Sequence, residues 1–255
     1  MHLVEECFFI RVFSLSESKP ILAVNFKAYY PHSFGNYALN IARAAISVKE
    51  ELRDVEIILA PPFTELYRVI QEVKDRDIKV FAQHADPLEP GAITGYIPLE
   101  GLRELGVNGV ILNHSEHKLK LSEILYLVRK ARELGLETLV CADEPEIGGS
   151  VAVLRPDMIA VEPPELIGTG ISVSKAKPEV ITRSVSLISR VNQQVKILTG
   201  AGISTGEDVY IAIKLGTVGV LVASAIIKAK DPYSVMREMA YNAIKAFRET
   251  HKNTY

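Results

Sequence analysis

Ala160-Val-Glu-Pro-Pro-Glu-Leu-Ile-Gly-Thr-Gly-Ile-Ser-Val-Ser-Lys-Ala176 carries more information than any other stretch of the chain. The apolar run Met158-Ile159-Ala160-Val161 reads as a buried strand and delivers one carboxylate, Glu162, at its C-terminal end. Two prolines follow and stiffen the exit, because each fixes φ and lacks an N–H donor. Gly168-Thr169-Gly170 then offers backbone amides with no bulky side chains in the way, as an anionic oxygen requires. A strand-end acid joined to a Pro-hinged, Gly-bearing loop reads as a base with a lid that closes over a phosphate. The same residues also read as a surface loop with Glu162 solvated, since strand-to-helix loops are commonly rich in Gly and Pro.

Outward from this unit, the chain repeats it. Short apolar or β-branched runs lie at Ile21–Asn25, Val55–Ala60, Ile78–Gln83, Gly109–Leu112, Thr138–Ala142, Met158–Val161, Val195–Thr199 and Val218–Val222. Between them, apolar residues recur at helical spacing, most clearly over Tyr37–Leu52, Ser122–Leu134, Val180–Val191 and Tyr233–Phe247. Ser122 is the expected N-cap of the second helix, and Gly135 its left-handed stop. Strands that alternate with helices form a parallel sheet covered by helices. Eight of them close an α/β fold of (β/α)₈ type, whose chemistry sits on the loops after the strands.

Composition sets the outer limits. The 255 residues suit one large domain, and 48% hydrophobic residues are ample for its core. A net charge of −2, no tryptophan and 7% aromatics argue against nucleic acid as a partner. No run approaches the roughly 18 apolar residues of a membrane span. Cys7 and Cys141 form no CxxC pair, and Cys141 lies in an apolar strand as a small core residue, so the chain reads as cytoplasmic. Residues 1–18 stand apart: Glu5 and Glu6 precede the apolar patch where a signal peptide would be basic. The expected organisation is a dispensable extension over 1–18 and a single barrel domain over 19–255.

Three further loops bear on chemistry. Asn25 and Lys27 alternate with Phe26, so both point one way. Lys27 supplies a positive charge for an anionic substrate, or is simply a solvated strand-end lysine, the reading this tripeptide favours when taken alone. His114, in Asn113-His-Ser-Glu-His117, opens a polar turn towards a helix, whose N-terminal partial charge would hold the ring neutral. A metal pair with His117 is the competing reading, but no HExxH or third histidine accompanies it. His117 also reads as a capping or packing residue. Thr199-Gly-Ala-Gly-Ile-Ser204 and Val222-Ala-Ser-Ala225, after the last two strands, place small residues where such barrels bind phosphate.

In this order, Ala23–Lys27, Ala82–Gln83, Gly91–Gly95, Leu112–His117 and Val161–Pro178 resemble the triosephosphate isomerase family in its short archaeal-type form, a TIM barrel. The resemblance runs from about Pro20 to the last helix. It implies that Asn25 and Lys27 bind substrate, that His114 is the electrophile, Glu116 its supporting acid and Glu162 the general base. Ile167 would lie in the lid beside the phosphate, and Gly202, Ala223 and Ser224 would contact it through their backbone. The implied reaction interconverts dihydroxyacetone phosphate and D-glyceraldehyde 3-phosphate through an enediolate, in glycolysis and gluconeogenesis. Neither a metal nor an organic cofactor is needed. The loop from Gln83 to Tyr96, with Thr94 at the matching position, would reach into a neighbouring subunit, implying a homo-oligomer, a tetramer as in the short form.

Two departures are visible. Pro164-Glu165-Leu166 replaces the tryptophan hinge of the common form, and Ala223-Ser224 replaces a glycine pair, although the backbone donors survive that change. Asp143 to Pro156 leaves too little chain for a full barrel helix, as the short form implies. Two rival readings are another phosphate-binding barrel enzyme and a non-catalytic sugar-phosphate-binding protein. The first would not need Asn-x-Lys, the Asn-His-Ser-Glu turn and the Pro-hinged glutamate together; the second would tolerate loss of the base, yet Glu162 is present.

Overall fold

The computed structural model describes residues 19–167 and 172–251. Residues 1–18, the expected extension, and residues 168–171 of the expected lid lie outside the described residues. Eight strands, β1 (Ile21–Asn25), β2 (Glu56–Ala60), β3 (Lys79–Ala82), β4 (Gly109–Leu112), β5 (Glu137–Ala142), β6 (Met158–Val161), β7 (Lys196–Thr199) and β8 (Gly219–Val222), run parallel in chain order. β8 pairs with β1, Ile21 opposite Gly219, and this closes the barrel. Each strand ends within a residue of the bound expected from its apolar run.

Around the strands run α1 (Gly35–Glu51), α2 (Leu66–Glu72), α3 (Leu99–Leu105), α4 (Leu121–Glu133), α5 (Pro145–Ala152), α6 (Val173–Ala176), α7 (Pro178–Val191), α8 (Gly206–Lys214), α9 (Ser224–Ile227) and α10 (Pro232–His251). The eight residues of α5 fit the short segment between β5 and β6. One cap differs from expectation. Lys120, not Ser122, is the N-cap of α4, because the Glu123 carboxylate reaches back and accepts the Lys120 N–H at 2.8 Å. Ser122 already lies inside that helix. Gly135, at φ 73°, ends it as expected.

Strand alternation divides the core in two. Leu22, Val24, Ile57, Leu59, Val110 and their equivalents face outward against the helices. Ile21, Ala23, Ile58, Phe81, Ile111, Cys141, Met158, Ala160 and Leu221 fill the barrel interior. Phe81 fits there because residue 109 is glycine: a Cβ at 109 would lie 2.6 Å from the Phe81 ring. Burial at about 25 cal/mol per Å² makes this double core the main source of stability. The same alternation sets the mouth, since the next inward positions above Ala23, Phe81 and Ala160 are Asn25, Gln83 and Glu162.

Candidate active site

Asn25, Lys27, His114, Glu162, Ile167, Gly202, Ala223 and Ser224 line one cleft at the C-terminal mouth of the barrel; Glu116, also singled out from the sequence, does not line it and instead bonds to Lys27 and His114. Glu162 follows β6 on the inward period of Met158 and Ala160, and its side chain is 8% exposed. The reading as a solvated surface acid is therefore wrong. Its Oε2 has no hydrogen-bond partner among the described residues, an expensive condition for a buried carboxylate unless a ligand or a proton meets it. Burial pushes the Glu162 carboxyl up to about 7, against the pull of the Lys27 charge.

His114 reaches the cleft by a different route. Simple alternation from Ile111 would aim Asn113 inward as the next residue on that face. Asn113 instead takes a left-handed φ of 57°, donates from its amide to Cys141 O at 2.9 Å and accepts the Leu119 N–H at 3.0 Å. That reversal turns His114 inward, with Nε2 3.6 Å from Glu162 Oε2.

The His114 Nδ1 accepts the Glu116 N–H at 3.2 Å, which leaves the proton of the neutral ring on Nε2, facing the cleft. The Glu116 carboxylate is farther from Nδ1, at 3.5 Å. Burial, and then the Lys27 charge, hold the imidazole down at about 4. The sequence suggested a helix N-terminus as the cause. Here the structure differs: residues 114–117 form a turn closed by His117 N–H to His114 O at 2.8 Å, and α4 begins only at Leu121. Helix-terminal fields fade within a turn, so burial and Lys27 take that role.

Lys27 is likewise not a solvated lysine. Its side chain is 9% exposed, and Nζ donates to Glu116 Oε1 at 2.8 Å. It lies beyond β1 at φ 50°, a conformation that costs a non-glycine residue on the order of 1 kcal/mol or more. Two bonds offset that cost. Asn25 Oδ1 accepts the Lys27 N–H at 2.9 Å, and Gln83 Nε2 donates to Lys27 O at 3.1 Å. Phe26, between the two polar residues, is fully buried on the opposite face.

The remaining wall is backbone. Ala201 and Gly202 both adopt left-handed φ, 68° and 71°, and Thr205 caps α8 in reciprocal bonds with Asp208 that fix the end of this loop. The N–H groups of Gly202, Ala223 and Ser224 donate to no acceptor among the described residues. Three such amides, in the cleft that Lys27 also lines, suit an anion.

The sequence reading assigned no role to Gln83, whose amide also reaches Asn25 Oδ1 at 3.2 Å and Ala60 O at 2.9 Å. Its signal was present, since Gln83 stands two residues after inward Phe81. Tyr29 and Ser204 also line the cleft, and no local pattern marks them, because both lie in loops. His117 does not join His114 at a common site but stacks on His84. No group of three His, Cys, Asp or Glu side chains stands in a metal-ligating arrangement among the described residues.

Comparison with known proteins bears on this geometry. The sequence profile of the triosephosphate isomerase family matches residues 20–240. The chain is 51% identical to a triosephosphate isomerase of Caldivirga maquilingensis over 221 residues, covering 87% of this chain and 96% of that protein. It is 46% identical to that of Saccharolobus solfataricus over 227 residues, covering 89% and 97%. For that of Methanocaldococcus jannaschii the identity is 45% over 219 residues, covering 86% and 98%.

Proposed function

The chain belongs to the triosephosphate isomerase family, and from that premise we infer how its residues would interconvert dihydroxyacetone phosphate and D-glyceraldehyde 3-phosphate. One observation carries the assignment of roles. A buried carboxylate with an oxygen unpartnered among the described residues and a neutral imidazole with an Nε2 proton face each other at 3.6 Å in one cleft.

Glu162, held near neutrality by burial, takes a proton from the carbon beside the substrate carbonyl and returns it to the neighbouring carbon. His114 donates from Nε2 to the carbonyl oxygens as charge builds on them, and its low basicity keeps it a neutral donor. Lys27 stabilises the same negative charge, with Glu116 holding its ammonium in place. Asn25 and Gln83 shape the turn that presents Lys27. The amides of Gly202, Ala223 and Ser224 receive the phosphate, and Ile167 closes the cleft beside it. Excluding water at that point protects the enediolate from losing phosphate.

The test is a coupled assay for isomerisation in both directions, run on the wild-type chain and on Glu162→Asp and Glu162→Gln. Withdrawing the carboxylate by roughly 1 Å costs on the order of 10²-fold in kcat, and removing the proton acceptor costs more. Affinity for an inert phosphorylated analogue stays near wild type. Wild-type kcat in Glu162→Gln would end this assignment.

We also propose a homo-oligomer, a tetramer, working in the cytoplasm on the glycolytic and gluconeogenic interconversion. Support for assembly comes from the β3–α3 loop, whose tip at Thr94 and Tyr96 is exposed in the single chain. Tyr30, Tyr37 and Tyr67 are also more than half exposed, an aromatic surface that water solvates poorly. Support for a reducing compartment is the buried free thiol of Cys141.

A further inference from the structure

The chemistry assigned above depends on how firmly residues 114–117 hold one shape. The Glu116 N–H must meet His114 Nδ1, and the Glu116 carboxylate must meet Lys27. Yet Glu116 and His117 are exposed, and the segment is a turn that belongs to no helix or strand. Segments with few buried contacts open easily. Lys27 restrains this one from the first loop. From the other side comes a contact that the mechanism does not use.

The imidazole rings of His84 and His117 lie face to face, with centroids 3.7 Å apart and planes inclined by 16°. That is van der Waals contact across whole ring faces. His84 is buried at the base of the β3–α3 loop, where its Nε2 lies 3.4 Å from Asp86 Oδ1. Asp86 is itself fastened twice to Ile97, through its N–H at 2.9 Å and its Oδ2 at 2.7 Å. Gln83, the chain neighbour of His84, holds Asn25 and Lys27. His117 closes the turn onto His114 O. The stack thus joins a firmly mounted ring to the exposed end of the segment that carries His114.

We propose that His84 and His117 are positioning residues for the isomerisation, their stack fixing the 114–117 turn so that Glu116 can orient His114 and hold Lys27. The claim rests on the roles given above to His114 and Glu116. It requires flat, uncharged ring faces, not imidazole chemistry. Burial and the neighbouring ring lower the basicity of His84, in keeping with that requirement. A phenyl ring at 117 therefore preserves the function, and a methyl group does not.

The experiment compares His117→Ala with His117→Phe, measuring kcat, KM and the hydrogen exchange of the Glu116 amide. In His117→Ala, kcat falls by about 10- to 100-fold, the range expected for a small misplacement of a catalytic group, while KM changes little. The Glu116 amide exchanges at least about tenfold faster, and the β4 amides do not. His117→Phe returns both readouts to near wild type. Wild-type kcat and exchange in His117→Ala, or equal damage in both variants, overturns the proposal. Should His117→Ala fold poorly, His84→Ala and His84→Phe ask the same question from the other ring. A wild-type chain without isomerase activity refutes the functional reading alone, because the exchange of Glu116 still reports on the stack.

Discussion

The Glu162 carboxylate occupies the space where a side chain on residue 200 would begin. A Cβ built on Gly200 would stand 2.3 Å from Glu162 Oε1 and 2.8 Å from its carboxyl carbon. Gly200 follows β7 and Glu162 follows β6, and their strands pair in register, Val161 opposite Thr199. A carboxylate can lie across the barrel mouth here because the next strand ends without a side chain.

Gly200→Ala should therefore separate folding from catalysis. The crowded atoms are at the end of a flexible side chain, which can move aside at little cost in stability. The displaced carboxylate no longer faces His114 at 3.6 Å. The expected result is a melting temperature close to wild type and a kcat lower by on the order of 10²-fold. Unchanged kcat would mean that the carboxylate has a second productive position.

The acid limb of kcat/KM should reflect Glu162 and not His114. A base must be ionised to act, and burial raises the Glu162 carboxyl to about 7, whereas His114 titrates near 4. Activity of the free enzyme should fall about tenfold per pH unit below that higher value. A pH–rate profile flat down to about pH 5 would contradict the burial of an ionising base.

The same two groups act on stability with opposite signs. Glu162 titrates higher folded than its ordinary value of 4.5, so the folded state holds its proton longer. Its contribution is fully present below that ordinary value and is lost as pH rises through about 7. His114 titrates at about 4 when folded, below its ordinary 6.5, so its contribution is present at high pH and lost as pH falls through that window. Glu162→Gln should therefore gain on wild type between pH 5 and pH 8, by on the order of 1–3 kcal/mol. Melting temperatures of both proteins across this range check the sign.

Assembly should depend on the exposed loop between β3 and α3. A Cβ added at Gly91 or Gly95 would meet nothing within 4 Å, and Thr94 and Tyr96 in the same loop are exposed. Replacing Thr94 and Tyr96 by lysine should shift the mass found by light scattering towards the monomer and reduce kcat with it. A fully active monomer at working concentration would remove the oligomer from the account.

A chain beginning at Lys19 should fold and retain full activity. The barrel closes from Pro20 onward: Pro20 O accepts the Glu56 N–H at 2.9 Å, and the Ile21 N–H donates to Val218 O at 2.9 Å. Among the described residues, the first to line the cleft is Asn25. An insoluble or inactive truncated chain would make residues 1–18 part of the working structure.

Much of this was legible in the chain itself. Eight apolar runs separated by helical spacing determine the strands, the helices and their parallel order, because period and length are local properties. The inward period that runs through Met158 and Ala160 carries on to Glu162, so this acid could be placed from sequence alone, as could Asn25. Tertiary structure decided what local period cannot encode. Asn113 reverses the alternation through its φ of 57° and turns His114 inward. Lys27 meets Glu116 across 89 residues, and only closure of the barrel brings the loops after β1 and β4 together. The neutrality of His114 comes from burial and from Lys27, not from its own helix, and desolvation is set by what surrounds a group in space. A strand dictates which way its side chains point; which side chains meet is decided when eight strands close on one another.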